Sequence, residues 1–407
     1  MYYKNYIKYV KSFISNSTLK NLLLYSPLFI SFFNIILNFF EKVIIGGRTI
    51  FGDFIVYRCG AITYLNDINP YKPNALSECL NSYPNALEFF YPPFTLSMFS
   101  IFTNFTQLWS TILWGLIIFP ILFLNLTLIK KIFFKNKNIF LFLLIYFFSF
   151  GGLNFTGLLT GNITIILYSL LGISLYYAIE KKNMRPVFII LTVMCLFKIT
   201  YLIFLILLFL IERKKFLNYT FISLCIILTF YLFSYFNNPG IFIDFLNHLT
   251  YLRSPEFFNL YGGGFGFYSI LKGFSEFFTF RIFEENIIFL QFLWFLICGL
   301  FLLSILIILF KNNKISKKQI LSISILIITI CYPLMKDYEG FLLIPSIYYL
   351  LFNLNWKFIF KKASKIFKYI LIFSTFAIHD KYMLFLTASI ILISIFYLDY
   401  KKQRIFR

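Results

Sequence analysis

The chain has 407 residues, 60% of them hydrophobic, 23% aromatic and only 13% charged, which excludes a soluble domain of this length and marks a polytopic membrane protein. In a soluble protein a formal net charge of +21 would suggest an acidic or nucleic-acid partner. Here most of the 37 Lys and Arg fall in seven short segments between apolar runs, so no nucleic-acid surface is expected and the charge reads as the positive-inside pattern.

Those segments, 1–20, 130–137, 181–185, 213–215, 311–318, 357–368 and 401–407, are assigned to the cytoplasmic side. Most of the 16 acidic residues lie toward the opposite ends of the spans. The abundance of Phe, Ile, Asn, Lys and Tyr resembles a coding bias toward A/T-rich codons, so aromatic counts carry no functional weight. The six cysteines show no metal spacing. Cys59 and Cys79 share the first outer loop and are able to pair in an oxidising compartment, although spacing does not establish geometry.

Residues 1–20 read as a basic, aromatic, interfacial segment. The apolar run that follows is too long for a signal-peptide core and has no small-residue cleavage site, so 21–40 is expected to be an uncleaved first helix. Like it, 106–129, 217–236 and 286–310 approach the roughly 20 residues that cross about 30 Å of hydrocarbon. Residues 41–103 form the expected first outer loop. Within it, Phe54 to Leu65 reads as a short amphipathic helix lying on the membrane surface. Asn69-Pro70-Tyr71 and Tyr83-Pro84-Asn85 are turn signals, and Pro92-Pro93 suits a first helical turn because neither residue needs to donate an N–H. Residues 94–103 are too short to span and predict a re-entrant or interfacial helix.

Residues 106–129 return the chain, 138–152 lead out and 161–179 lead back. The apolar run 186–211 has basic segments at both ends, so a single pass would break the alternation. It is expected to bend near Lys198, leaving that lysine at the base of a cavity open to the outer side. After 217–236 comes a second outer loop, 237–284. Its Tyr261-Gly-Gly-Gly-Phe-Gly-Phe lacks phosphate-loop spacing and reads as a flap or linker. Runs 286–310, 319–333, 341–353, 369–378 and 384–398 complete about twelve crossings in a single integral membrane unit, 1–407, with both termini cytoplasmic.

Five places are able to carry chemistry. Asp53, in G-D-F-I-V-Y-R, reads as a solvated carboxylate, a partner of Arg58, or a general base if a substrate hydroxyl comes within hydrogen-bond reach. Lys198 is either a snorkelling lysine or a cation facing a cavity, since ionisable groups at membrane depth usually have a cavity or partner. Arg58 is placed to reach the same ligand or to orient Asp53. Lys336, Asp337 and Tyr338 lie on a turn between two spans. Tyr57, Tyr71 and Tyr91 suit stacking on a sugar or lining a lipid groove, although interfacial belts are the default use of tyrosine here.

D-F-I-V-Y from Asp53, N-P-Y from Asn69 and F-Y-P-P-F from Phe90 together resemble the signature of glycosyltransferase family 87, polyprenyl-phosphate-sugar-dependent membrane enzymes of the GT-C class. G-N-I-T-I-I-L-Y from Gly161 is similar to the family's G-Q-x-N helix start, with Asn162 in place of Gln. L-F-K-I-T-Y from Leu196 is similar to its K-x-x-P segment, with Tyr201 where Pro is usual. Y-P-L-M-K-D-Y-E-G from Tyr332 is similar to a late turn that often carries a His; this chain has none there, its two histidines being His248 and His379.

The resemblance covers about residues 50–350 and implies an all-α GT-C architecture of about 10–13 membrane helices in the plasma (cytoplasmic) membrane, with an extracytoplasmic site. It implies Asp53 as general base, activating an acceptor hydroxyl that attacks the anomeric carbon while a polyprenyl phosphate leaves. Phosphate leaves readily once its charge is matched, so cations, led by Lys198, are expected in place of any metal or other cofactor. The partners implied are a polyprenyl-phosphate-sugar donor, a glycolipid or surface-glycan acceptor and membrane lipids; relatives of this kind use mannose and arabinofuranose. Substrate-contacting candidates are Tyr57, Arg58, Asn69, Tyr71, Tyr91, Asn162, Lys198, Lys336, Asp337 and Tyr338. A transporter, flippase or polymerase of lipid-linked glycans is the competing class. Those folds favour paired broken helices or several intramembrane arginines, neither of which the sequence displays.

Overall fold

The computed structural model describes residues 17–41, 50–80, 88–135, 138–251, 292–303, 315–332, 336, 339–360, 364–377, 381–401 and 405–406. Every described element is helical apart from one bridge between Leu354 and Phe406. Among the described residues, Gln107–Phe133, Ile163–Glu180, Lys214–Asn237 and Met383–Tyr400 are long and apolar enough to cross a membrane. The bent pair Ile139–Phe148 and Leu153–Thr160 makes a fifth span if counted as one. The all-helical membrane architecture read from composition is what forms. Other expected crossings are shorter helices such as Gly340–Asn353, too short at about 1.5 Å per residue to cross alone. Of the second long loop, Pro239–Tyr251 forms a helix, while the glycine-rich run after Tyr261 lies outside the described residues.

The chain divides into two compact units. One comprises Met1–Arg48, Lys137–Phe155 and Leu351–Arg407. In it the Ser17–Phe40 helix packs on Ile139–Phe148 and Ser364–Ala377. Ser31 Oγ donates to the Phe148 carbonyl at 2.7 Å, Phe32 meets the Phe148 ring edge-on at 4.9 Å, and the Phe150 N–H donates to the Thr375 carbonyl at 2.7 Å. Polar groups satisfied inside an apolar interface are what a bundle without interior water requires.

The other unit, Thr49–Asn136 and Thr156–Leu350, holds all the described candidate site residues. Its spine is the Gln107–Phe133 helix packed on Ile163–Glu180, which in turn packs on Arg185–Phe197. The last of these stops at Lys198, whose backbone is extended at φ −141° and ψ 110°. A 3-10 segment, Ile199–Leu205, packs back on it before Ile206–Ile211 resumes as α-helix. The break therefore falls at the residue where the charge alternation demanded one. At the other end of the Ile163–Glu180 helix, Glu180 pairs with Lys318 Nζ at 2.8 Å, which brings two of the basic segments together. The Lys317–Cys331 helix begins there with a reciprocal cap between Ser316 and Gln319.

The expected surface helix forms as Gly52–Leu65, but it does not lie with one face exposed. Phe54, Ile55, Val56, Tyr57, Cys59 and Ala61 are all buried, because apolar residues surround the axis and no polar face remains. Phe54 stacks on Trp114 at 4.9 Å and Tyr57 on Phe99 at 4.7 Å. Phe99 belongs to the short apolar segment read as re-entrant or interfacial, which forms as helix Phe94–Phe99 followed by the 3-10 turn Ser100–Asn104. Cys59 and Cys79 form a disulfide with Cα atoms 5.6 Å apart, tying the turns after this helix back to its buried side.

Candidate active site

Asp53 occupies the first turn of the Gly52–Leu65 helix, where helical N–H groups favour a negative charge. Just before it, the Phe51 N–H donates to the Leu159 carbonyl at 2.8 Å. Gly161 makes that approach feasible. Its φ of +66° suits glycine, and a Cβ there would lie 2.9 Å from the Phe51 Cα. Trp114 Nε1 pins the same turn by donating to the Gly161 carbonyl at 2.7 Å. The next residue, Asn162, is thereby set against Asp53.

Asn162 caps the Ile163–Glu180 helix, its Oδ1 accepting the Thr164 N–H at 2.9 Å and the Tyr91 hydroxyl at 3.1 Å. With two donors on that oxygen, the amide nitrogen must face away from them. It donates to Asp53 Oδ2 at 2.7 Å. Tyr57 completes the chain, with its hydroxyl 2.8 Å from that of Tyr91 and accepting the Ile163 N–H at 3.3 Å. Asp53 is crowded by protein yet keeps part of its surface accessible. Burial pushes its carboxyl above the ordinary aspartate range, opposed by the Asn162 hydrogen bond and by the positive charges of Lys198 and Lys336.

Lys198 is brought to the same place by the helix break. Its Nζ lies 5.8 Å from the centre of the Tyr91 ring and 5.6 Å from that of Tyr201, so two π-faces flank the ammonium. Tyr201, standing where the resembled segment usually has Pro, donates to Glu339 Oε1 at 3.3 Å. Glu339 Oε2 accepts the Lys336 N–H at 2.7 Å. Asp337 and Tyr338 lie outside the described residues.

Three candidates have other employment. Arg58 follows Asp53 by five positions, about 140° round a helix, so the two side chains diverge. Its Nη2 donates to the Phe105 carbonyl at 2.8 Å and its Nε to that of Phe102 at 3.3 Å, closing the end of the 3-10 turn. Asn69 folds its own turn by accepting the Tyr71 N–H at 3.0 Å, and it donates to Asp244 Oδ2 at 2.6 Å. Tyr71, buried, donates to the Tyr91 carbonyl at 2.6 Å and so braces Tyr91 from behind.

Glu339 escaped the sequence reading. Only 1% of its surface is exposed, although it ends a polar turn where an acid ordinarily reads as solvated. The signal was Lys198, because a cation at depth calls for a counter-charge.

The architecture is thus a half-buried carboxylate held by a neutral amide, with cations close by, at one end of a bundle of apolar helices. The family model for Glycosyltransferase family 87 matches residues 89–333. No curated protein and no solved structure matches the chain. The matched stretch contains Tyr91, Asn162 and Lys198, while Asp53, Lys336 and Glu339 fall outside it. It spans more than half of an all-helical, multi-pass membrane protein, which therefore belongs to glycosyltransferase family 87, a membrane family of the GT-C class.

Proposed function

We propose that this membrane glycosyltransferase moves a sugar from a polyprenyl-phosphate-sugar donor to a hydroxyl of a glycolipid or surface glycan, with Asp53 as general base. The observation that carries the reading is the Asp53 carboxylate, accepting from Asn162 at 2.7 Å beside the Lys198 charge. Asp53 takes the proton of the acceptor hydroxyl as its oxygen attacks the anomeric carbon. The bond from that carbon to the phosphate oxygen breaks, and the electron pair leaves with the polyprenyl phosphate. Lys198 and Lys336 match the departing charge, in the way preorganised cations stabilise a leaving group. Tyr57 and Tyr91, through their hydroxyls, hold Asn162 and the start of its helix beside Asp53.

Three features favour an extracytoplasmic site in the plasma membrane. The Cys59–Cys79 disulfide belongs to an oxidising compartment. Asn162 and the basic segment at Lys181 lie at opposite ends of an 18-residue helix, about 27 Å apart at 1.5 Å per residue. Basic segments mark the cytoplasmic side.

The test is sugar transfer by purified, reconstituted protein and its Asp53→Asn variant, with a panel of polyprenyl-phosphate sugars, with and without EDTA. Asn keeps the shape but does not accept the proton. The expected result is transfer by the parent that survives EDTA and falls by roughly two orders of magnitude or more in the variant. Undiminished transfer by the variant removes Asp53 from the role of base. A parent that uses no donor while moving lipid or solute in liposomes is a transporter or flippase instead.

A further inference from the structure

Lys198 has to be held as well as present. A lysine ammonium is a point charge on a flexible stem, and at depth it is costly unless a counter-charge keeps it ionised and still. Its surroundings supply that at Glu339. The Glu339 carboxylate is almost wholly enclosed, and each of its two oxygens is held by a different element: Oε1 by the Tyr201 hydroxyl at 3.3 Å, Oε2 by the Lys336 N–H at 2.7 Å. Tyr201 is also the ring that Lys198 faces at 5.6 Å. One buried acid thus links the helix break carrying Lys198 to the turn carrying Lys336. The groups whose charge acts on Lys198 are Glu339, Asp53 and Lys336. Of the two carboxylates, Asp53 faces the accessible side and is bonded to Asn162. Glu339, by contrast, is almost wholly buried.

We propose that Glu339 is a positioning residue for donor binding, acting through Lys198: its carboxylate is the counter-charge that favours the ionised ammonium and keeps it in place for the donor phosphate, and its hydrogen bond to the Lys336 N–H keeps the second cation in register. This rests on the reading of Lys198 as the phosphate-matching cation. No residue of this turn within the family match assigns the role, since the match ends before Lys336.

The experiment is a double-mutant cycle on donor kinetics in reconstituted protein, using the polyprenyl-phosphate sugar that the parent accepts. The variants are Glu339→Gln, Lys198→Gln and the pair together, with Glu339→Asp as a further variant. Glu339→Gln is expected to lower kcat/KM for the donor by about tenfold or more, mainly through KM, on the scale of coupling between contacting charged groups. The double variant is expected to be no worse than Lys198→Gln alone, because the charge of Glu339 then has no ammonium to act on, while the Gln side-chain oxygen still accepts the Lys336 N–H. Glu339→Asp, which keeps the charge on a shorter arm, is expected to recover part of what Gln loses. If only the shape of the buried side chain mattered, Gln would be the milder change and Asp the worse, and that order overturns the proposal. So do losses that multiply in the double variant. Parental kinetics in Glu339→Gln with an impaired Lys198→Gln sink this inference alone, whereas parental kinetics in Lys198→Gln sink the reading of Lys198 as well.

Discussion

Asn162→Asp is the substitution that most directly tests the link between Asp53 and transfer. Asp is as good a helix cap as Asn, so the start of the Ile163–Glu180 helix is retained. What changes is the group facing Asp53: a neutral donor at 2.7 Å becomes a second carboxylate. Two charges at that 2.7 Å separation repel by about 6 kcal/mol at an effective dielectric of about 20. Solvent reaching the half-buried Asp53 cuts this by about half, leaving a rise of roughly two pH units for the shared proton at about 1.4 kcal/mol each. A base works only when deprotonated, and burial already raises the Asp53 carboxyl. In the parent, kcat/KM should therefore be flat at neutral pH and fall as pH drops through a value above the ordinary aspartate of about 3.9. In Asn162→Asp that acid limb should move up by about two units, leaving activity low at neutral pH and partly recovered at alkaline pH. Asn162→Ala is the control: it loses a cap worth about 1 kcal/mol and the hydrogen bond to Asp53, but adds no charge, so its limb should move less. The assay is donor-saturated transfer across pH with melting temperatures for all three proteins. An Asn162→Asp limb that coincides with the parental one would refute the reasoning, because protonation of Asp53 would then not govern transfer.

Other outcomes follow from the same geometry. Arg58→Gln should lower stability by about 2 kcal/mol, the scale of charged hydrogen bonds such as those to the Phe102 and Phe105 carbonyls, with little change in donor KM; a raised KM at parental melting temperature would return Arg58 to the phosphate. Of the six cysteines, four should react with maleimide in denaturant and six after reduction, and replacing Cys59 and Cys79 by Ser should cost about 3 kcal/mol, as expected for closure of a loop of this size. Transfer by one displacement at the anomeric carbon should invert its configuration, which NMR of the product reads directly; retention would demand a covalent intermediate and a nucleophile in place of a base.

Much of this site was legible because some residues obey rules that act locally. The break at Lys198 follows from charge alternation across a run too long for a half-pass and wrongly flanked for a whole one. Pro92-Pro93 precedes the Phe94–Phe99 helix as the ring geometry requires. The rest depended on partners distant in sequence. Arg58 reads as a neighbour of Asp53 until the helix phase separates them. Asn69 and Tyr71 read as substrate-contacting candidates from their motifs, and sequence alone does not show that Asp244 and the Tyr91 carbonyl meet their polar atoms. The surface-helix reading of 54–65 failed because its few polar residues do not gather on one side, and the aromatic rings of Phe99, Phe102 and Trp114 enclose it instead.

The separation of Asp53 from Arg58 carries a chemical consequence. A carboxylate paired with a guanidinium is held ionised, with its pKa lowered by about 1–3 units, and is a correspondingly weaker base. At Asp53 the hydrogen-bond donor is an amide, which orients the carboxylate without adding a full positive charge, and burial is the larger influence, acting in the opposite direction. The strong positive charge is kept on Lys198, framed by the rings of Tyr91 and Tyr201. A transferase of the proposed kind needs both properties at once: a base that is basic enough to take an alcohol proton as the new bond forms, and a positive charge that meets the phosphate as the old bond breaks. Had the two been joined in one ion pair, each would have cancelled the other before either substrate arrived. With Asn162 rather than a cation as its hydrogen-bond donor, the proposed base keeps its charge apart from an ion pair, and a neutral helix-capping residue suits the position nearest the proposed chemistry.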